Sequence, residues 1–482
     1  MATSSSASTP ISVADVAARW AASVDWDHVP SLVKSELIKG LVQSITGGIA
    51  GFDVPETLVA VEIARSERGS GPCTILVHGD AVPPSTAAFV NSVMFCALEQ
   101  QEMHAESATH PFETVVPTAL ALAEANQATG RCFLEAVLVG FETMVVFAQA
   151  AQRYMAQTSP GTCLGASVHG ALGAAATAAR LLGLDATGIA LAVAHAANFA
   201  SGLNESNLLG FTEYHYSLAN ASRVGLLGAQ LAAAGAEASP TTFDGPAGYF
   251  HRFAEIAATG DKGAELSAFV ADRLGRHWAV PETLYKTYPV HFYNLPYVDG
   301  AKLLRERHMI EPREIQSVRV FLNHWCEWCF GQDLGPYTRR ESTRGATAFG
   351  ISSMLARGHF DLQDAADPSA PDIAAIASKT SVKVFENESL ADRWQSVRIE
   401  VLTAKGEFVY DSRVDGIDDY RLPRPRVDAI ARDVLGRALP CLPAQSIIDR
   451  IASLEHSADV KSLIKQLTPQ ASPRKASSHE SS

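Results

Sequence analysis

From Phe112 to Ala234 the chain is dominated by Ala, Leu, Val and Gly, and beta-branched alternation is scarce. Small residues at this density suit helices whose axes pack closely. The runs 170–184 and 189–200 are the clearest examples, and the whole stretch predicts a helical core. Helical spacing also marks the N-terminal region. Ser12 with Asp15 resembles a capping box, and Val13, Val16, Ala17, Trp20 and Ala21 follow at helical intervals. After Pro30, the residues Val33, Leu37, Ile38, Leu41, Val42 and Ile45 share one face.

The pattern changes near Tyr285. Ile315, Val318, Val320 and Leu322 read as a strand. Val397, Ile399 and Val401 alternate with Arg398 and Glu400. Lys405-Gly406 then makes a turn, and Phe408 and Tyr410 begin the return strand. A helical stretch, 346–355, and a Pro/Ala/Asp-rich loop, 361–372, lie between these strands. After Pro423 and Pro425 the residues Val427, Ile430, Ala431, Val434 and Leu435 restore a helical face. The expected fold class is mainly α with α+β. A helical domain covers 11–275 and is completed by 425–462, an α+β lid covers 280–420, and 1–10 and 466–482 are disordered tails.

The 482 residues are 47% hydrophobic and 19% charged, enough to bury a large core. The formal net charge of −13 disfavours nucleic acid and anionic membranes as partners. It also means that a polycarboxylate ligand needs local cations at its site. Seven cysteines without a framework suit a reducing compartment. Cys326 and Cys329 lack the second pair that a zinc site requires, so buried thiols are expected there. The N-terminus lacks the basic and apolar regions of a signal peptide, and no uninterrupted apolar run reaches about 18 residues. The cytoplasm is the expected location.

Chemistry-bearing residues concentrate in 91–117, where Glu99, Glu102, His104, Glu106 and His110 fall within twelve positions. Such a group can supply general acid and base functions with mutually tuned pKa values, and it can equally be a solvated loop. Zinc ligation by His104 and His110 matches no common spacing. His169, inside an apolar helix, reads as a hydrogen-bonded core histidine ahead of a catalytic one. His291 either faces a cleft or caps a strand. Arg339, Arg340 and Arg344 could clamp carboxylates, although a solvated helix face is expected for at least two of them.

The 91–117 segment resembles the MmgE/PrpD family stretch in which an Asn-initiated small-residue helix runs into an acidic cluster and ends at a His. Glu99, Glu102, His104, Glu106 and His110 match the form found in the family's fungal decarboxylases without a gap, and Thr109-His110-Pro111 resembles the animal form. Residues 38–51 resemble the family's early helix, with Gln43 where an Asp is usual. Residues 170–184 resemble its small-residue helix, and Tyr285-Lys286-Thr287-Tyr288-Pro289 resembles the Lys-bearing element that opens its second domain. The likeness covers roughly 12 to 460. Two departures stand out: Leu164 replaces an active-site His, and Tyr214 an active-site Lys.

The resemblance implies a lyase acting on a citrate-type tricarboxylate. Dehydration of 2-methylcitrate or a longer 2-alkylcitrate, in a maleidride-type pathway, is the leading expectation. Decarboxylation of an aconitate-type acid and a catalytically weak homologue kept as a binding partner are the alternatives. In this reading His110 moves the proton, Lys286 clamps a carboxylate, and Glu102 and His104 tune or assist. Thr109, Tyr214, Leu164 and His291 contact substrate. No metal or cofactor is called for, and the resemblance implies a homodimer.

Overall fold

The computed structural model describes residues 12–152, 165–254, 261–328, 332–391 and 393–469. Leu164, Cys329 and the expected tail 1–10 lie outside the described residues.

Ser12 caps the first helix, Val13–Ser23, by accepting the Asp15 N–H at 3.2 Å. The Ser31–Ala50 helix follows Pro30 and is almost wholly buried from Leu37 onward. The helices Phe112–Ala125, Gly130–Gln152, Gly165–Leu181, Ala186–Phe199 and Glu213–Ala233 pack around one another as the expected core. Glycine permits one close crossing between the Gly130–Gln152 and Gly165–Leu181 helices. A Cβ on Gly140 would lie 2.8 Å from the Gly173 carbonyl oxygen, and a Cβ on Gly173 would lie 2.8 Å from that of Gly140. No side chain fits between those two helices, so both positions require glycine. The Gly130–Gln152 helix is long and apolar enough to cross a membrane, but 89% of its most apolar stretch is buried inside the protein.

A two-residue ribbon, β1 (Cys73–Thr74) with β2 (Ala81–Val82), is the only sheet found among the described residues before 300. The main sheet comprises β3 (Ile315–Leu322), β4 (Thr380–Val384), β5 (Arg398–Thr403) and β6 (Gly406–Asp411), in the order β4-β3-β5-β6. β4 runs parallel to β3, and the other two pairs are antiparallel. Thr403 pairs with Gly406, so the turn tip is Ala404-Lys405, one residue earlier than the sequence suggests. The segment read as a loop at 361–372 contains a helix, Leu362–Ala366, started by a capping box between Asp361 and Asp364. Pro371 then opens another helix, Pro371–Ala377. Near the C-terminus Leu467 is fully buried, so the packed chain runs past the expected boundary at 466.

The fold is thus mainly helical with a smaller α+β part. Buried apolar side chains form two large clusters. One gathers residues between Val13 and Tyr285 with those between Leu422 and Leu467, and the other gathers Leu284 through Tyr420 together with Met103. The Arg424–Ala438 helix returns from the sheet region to pack on Ser31–Ala50. Met103 and Leu284 join the two parts by exchanging main-chain hydrogen bonds of 2.9 and 2.8 Å. That junction brings the 99–110 segment against Lys286.

Candidate active site

The Pro84–Cys96 helix ends just before Glu99, which turns the chain with a left-handed φ of 52°. Glu99 and Lys286 meet at 2.6 Å in the interior, and Lys286 is completely buried. Gln43, at the position where an Asp is usual, fixes the Lys286 backbone from both sides. Its Nε2 donates to the Lys286 carbonyl at 2.9 Å, and the Lys286 N–H donates to its Oε1 at 3.3 Å. Tyr214 donates its hydroxyl to the other Glu99 oxygen at 3.0 Å. Burial alone would raise the Glu99 pKa, but Lys286 together with His291 and His110 outweighs it and holds the carboxyl well below its usual range.

His110 is anchored by one nitrogen. Its Nδ1 lies 2.6 Å from the Glu102 carbonyl oxygen, which can only accept, so Nδ1 carries the proton and Nε2 is left as a free base. Burial, helped by the Lys286 charge, lowers the His110 pKa to about 4. The Glu102 side chain accepts the Phe112 N–H at 2.8 Å, at the start of the Phe112–Ala125 helix. Its second oxygen is buried without a partner, and burial pushes its pKa up to about 7. Glu113, the residue after Phe112, is also buried, and burial raises it well above the carboxylate range. This corner therefore holds a neutral imidazole, a fixed cation and a carboxyl that titrates near neutrality. It can remove a proton, stabilise negative charge and return a proton.

His291 lines the same narrow cavity as Glu99, Tyr214, Glu341 and Arg344. Its Nδ1 is buried without a partner, and burial lowers its pKa to about 4. The cavity measures only about 10 Å³, room for a single water at most. His104 and Thr109 are bonded elsewhere. His104 meets Ser107 at 3.0 Å and Glu282 at 3.2 Å, and Ser107 meets Thr109 at 2.6 Å. These contacts fix the short turn that precedes His110.

Two arginines correct the sequence reading. Arg344 is buried and donates to the Ala97 carbonyl, while Arg340 pairs with both Glu56 and Glu341. Only Arg339 faces outward, stacked at 3.9 Å over Phe211. His215 lies between Glu56 at 3.4 Å and Glu341 at 3.8 Å, and neither ring nitrogen makes a hydrogen bond. The ligand atoms of Glu56, His215 and Glu341 lie within 4.8 Å of one another. Arg340 and Arg344 already balance those two carboxylates, so a divalent cation there would leave uncompensated positive charge. His169 is a core histidine, its Nδ1 2.8 Å from the Tyr249 hydroxyl. Cys326 is buried, and its thiol donates to the Tyr293 carbonyl.

Sequence reasoning placed Glu99 in the acidic cluster without giving it a role, and it gave Glu341 and Glu56 none. The signal that could have raised them is the Arg339–Arg344 run itself, because arginines drawn inward need buried carboxylates.

Residues 16–259 match the family model MmgE/PrpD N-terminal domain, just over half of the chain. A cis-aconitate decarboxylase of Aspergillus terreus is 28% identical over 224 residues, 45% of this chain and 45% of that protein. A cis-aconitate decarboxylase of Homo sapiens is 28% identical over 301 residues, 60% of this chain and 58% of that protein. The chain spans about half the length of the curated relatives it matches.

Proposed function

The chain belongs to the MmgE/PrpD family, and from that premise we propose that it is a lyase that dehydrates 2-methylcitrate or a longer 2-alkylcitrate. The observation that carries this reading is His110, neutral with Nε2 free, beside the Lys286 ammonium and a Glu102 carboxyl that titrates near 7. His110 Nε2 takes the proton from the carbon next to a substrate carboxylate. Lys286 holds that carboxylate and stabilises the enolate-like charge. Glu102 in its acid form gives a proton to the departing hydroxide, which leaves as water as the C=C bond forms. The proton on His110 then returns to Glu102 and resets the pair. His104, Ser107 and Thr109 keep the turn that aims His110, while Tyr214 and His291 line the substrate cleft. Residues 291 and 341–345 lie in the lid part, so they move away from Glu99 and Tyr214 to admit a citrate-sized molecule. None of these steps uses a metal, and the protein works as a cytoplasmic homodimer.

A second reading, loss of carbon dioxide from an aconitate-type acid, is favoured by what the relatives are named. One experiment separates the two: the purified protein is incubated with 2-methylcitrate, a hexylcitrate and cis-aconitate, and the products are read by mass. Loss of water from a citrate supports the proposal, and loss of carbon dioxide from cis-aconitate with inert citrates replaces it. No turnover of any of the three leaves a binding role for the chain and refutes both enzymatic readings.

A further inference from the structure

A second cavity, larger than the cleft beside Glu99 and Tyr214, lies apart from it. A crevice of about 210 Å³ opens between the Arg424–Ala438 helix and residues 360–362. One wall is apolar, formed by Phe360, Leu362, Ile430 and Val434. Three polar groups line it without a hydrogen-bond or ion-pair partner among the described residues. The Thr287 hydroxyl is buried and makes no hydrogen bond. The Gln100 side chain is buried and its amide donates to no group in the described residues. Arg426, exposed at the mouth, makes no ion pair among the described residues, whereas Arg437 is paired with Asp361 and Asp433. A guanidinium, an amide and a hydroxyl facing an apolar wall is the make-up of a small-molecule site.

We propose that this crevice is a second binding site, for a small carboxylate with a short apolar body, whose carboxylate is held by Arg426 and whose body lies on Phe360 and Ile430. Gln100 and Thr287 directly follow Glu99 and Lys286 in the chain, so the ligand contacts the residue next to each member of the active-site ion pair. It also bridges the two hydrophobic cores, because Phe360 belongs to one and Ile430 packs against the other. Occupancy therefore favours the closed arrangement. The site does not rest on the lyase reading, and its test needs no turnover.

The experiment uses the full chain with butanoate as the probe and 1-butanol as the uncharged control, read by titration calorimetry and by thermal unfolding. Butanoate is expected to bind saturably in the millimolar range and to raise Tm, and 1-butanol is not. Arg426→Gln is expected to weaken butanoate about 10- to 100-fold, the usual effect of losing a hydrogen bond to a charged group. Ala429→Trp, which fills the crevice from the helix, is expected to abolish binding. Both positions lie outside the catalytic corner, and circular dichroism checks the fold of each variant. Absence of saturable butanoate binding overturns the proposal, as does equal binding by Arg426→Gln or equal binding of 1-butanol. Should Ala429→Trp fail to fold, Arg426→Gln alone decides.

Discussion

The Glu99–Lys286 pair gives a quantitative test of how the site is built. The two charges are 2.6 Å apart, Lys286 is wholly enclosed, and Glu99 is 8% exposed. Removing one partner of such a pair leaves a buried uncompensated charge, at a cost of about 3–5 kcal/mol. Lys286→Met should fall at the lower end, because Glu99 keeps the 3.0 Å hydrogen bond from Tyr214. Glu99→Leu should fall at the upper end, since Glu99 accepts the one hydrogen bond that the Lys286 ammonium makes among the described residues. The double variant puts apolar groups of similar size at both positions and should stay within about 1–2 kcal/mol of the parent, since apolar replacements of buried pairs are often neutral or even stabilising. The implied coupling is at least about 3 kcal/mol, far above the roughly 0.5 kcal/mol scatter of independent sites. Urea unfolding at pH 7, followed by circular dichroism and extrapolated to water, measures all three. If the two single losses simply add in the double variant, the pair is not coupled and the description of the site is wrong.

Two further outcomes follow from the same residues. His110→Ala should lower the chemical rate by about 10²–10⁴-fold while the substrate still binds, because a general base acts mainly in the transition state. Single-turnover kinetics on whichever acid is turned over checks this, and a change confined to KM refutes it. Stability against pH should be nearly flat between about 4.5 and 6.5 and should then fall toward pH 8. His110, His169 and His291, each lowered to about 4, lose stability as pH falls below 6.5. Glu102 and Glu142, raised to about 7 and about 8, and Glu113, raised well above the carboxylate range, lose it as pH rises above 4.5, so three carboxyls oppose three histidines until the histidines are neutral in both states. Urea midpoints across that range decide it, and a midpoint that rises from pH 6.5 to 8 contradicts it.

What the sequence made legible follows from where the information lies. The helices of 112–234 and the strands β3, β5 and β6 write their pattern locally, in small-residue density or in alternation. The edge strand β4 escaped because Thr380–Val384 is short and polar on one face, and it exists only by pairing with β3. The Asp361–Asp364 cap was also local, but it lay inside a stretch whose prolines read as loop. Within the site, His110, Lys286 and Tyr214 could be picked out by their resemblance to family motifs. The Glu99–Lys286 bond spans 187 positions and the Arg340–Glu56 pair spans 284, and no periodicity encodes contacts of that range. Three arginines within six residues look solvated until the carboxylates that draw two of them inward are known.

The charge balance of the cleft bears on which acid it takes. Around it stand three cations, Lys286, Arg340 and Arg344, and three carboxylates, Glu99, Glu56 and Glu341. A ligand with three carboxylates entering that neutral set would be held less well than in a site with surplus positive charge. Tyr214 sharpens the point. It stands where the family resemblance puts a lysine, and its hydroxyl is committed to Glu99, so on that resemblance a neutral group that stabilises an internal anion takes a cation's place. For a substrate carboxylate to reach Lys286, Glu99 must give up that contact or share it. An acid with an apolar arm beyond the reacting carbons regains by burial some of the affinity that the missing cation would have supplied, at about 25 cal/mol for each Å² of apolar surface removed from water. An arm of a few methylenes, each worth about 0.8 kcal/mol, offsets one lost charge-assisted hydrogen bond of about 1.5–3 kcal/mol. That arithmetic favours an alkylcitrate over cis-aconitate in this cleft, and it predicts that restoring the cation with Tyr214→Lys shifts the preference toward the smaller, more highly charged acid. The ratio of kcat/KM for a hexylcitrate to that for 2-methylcitrate, compared between the two proteins, measures it. A ratio that stays the same or rises on restoring the lysine removes Tyr214 from the account of specificity.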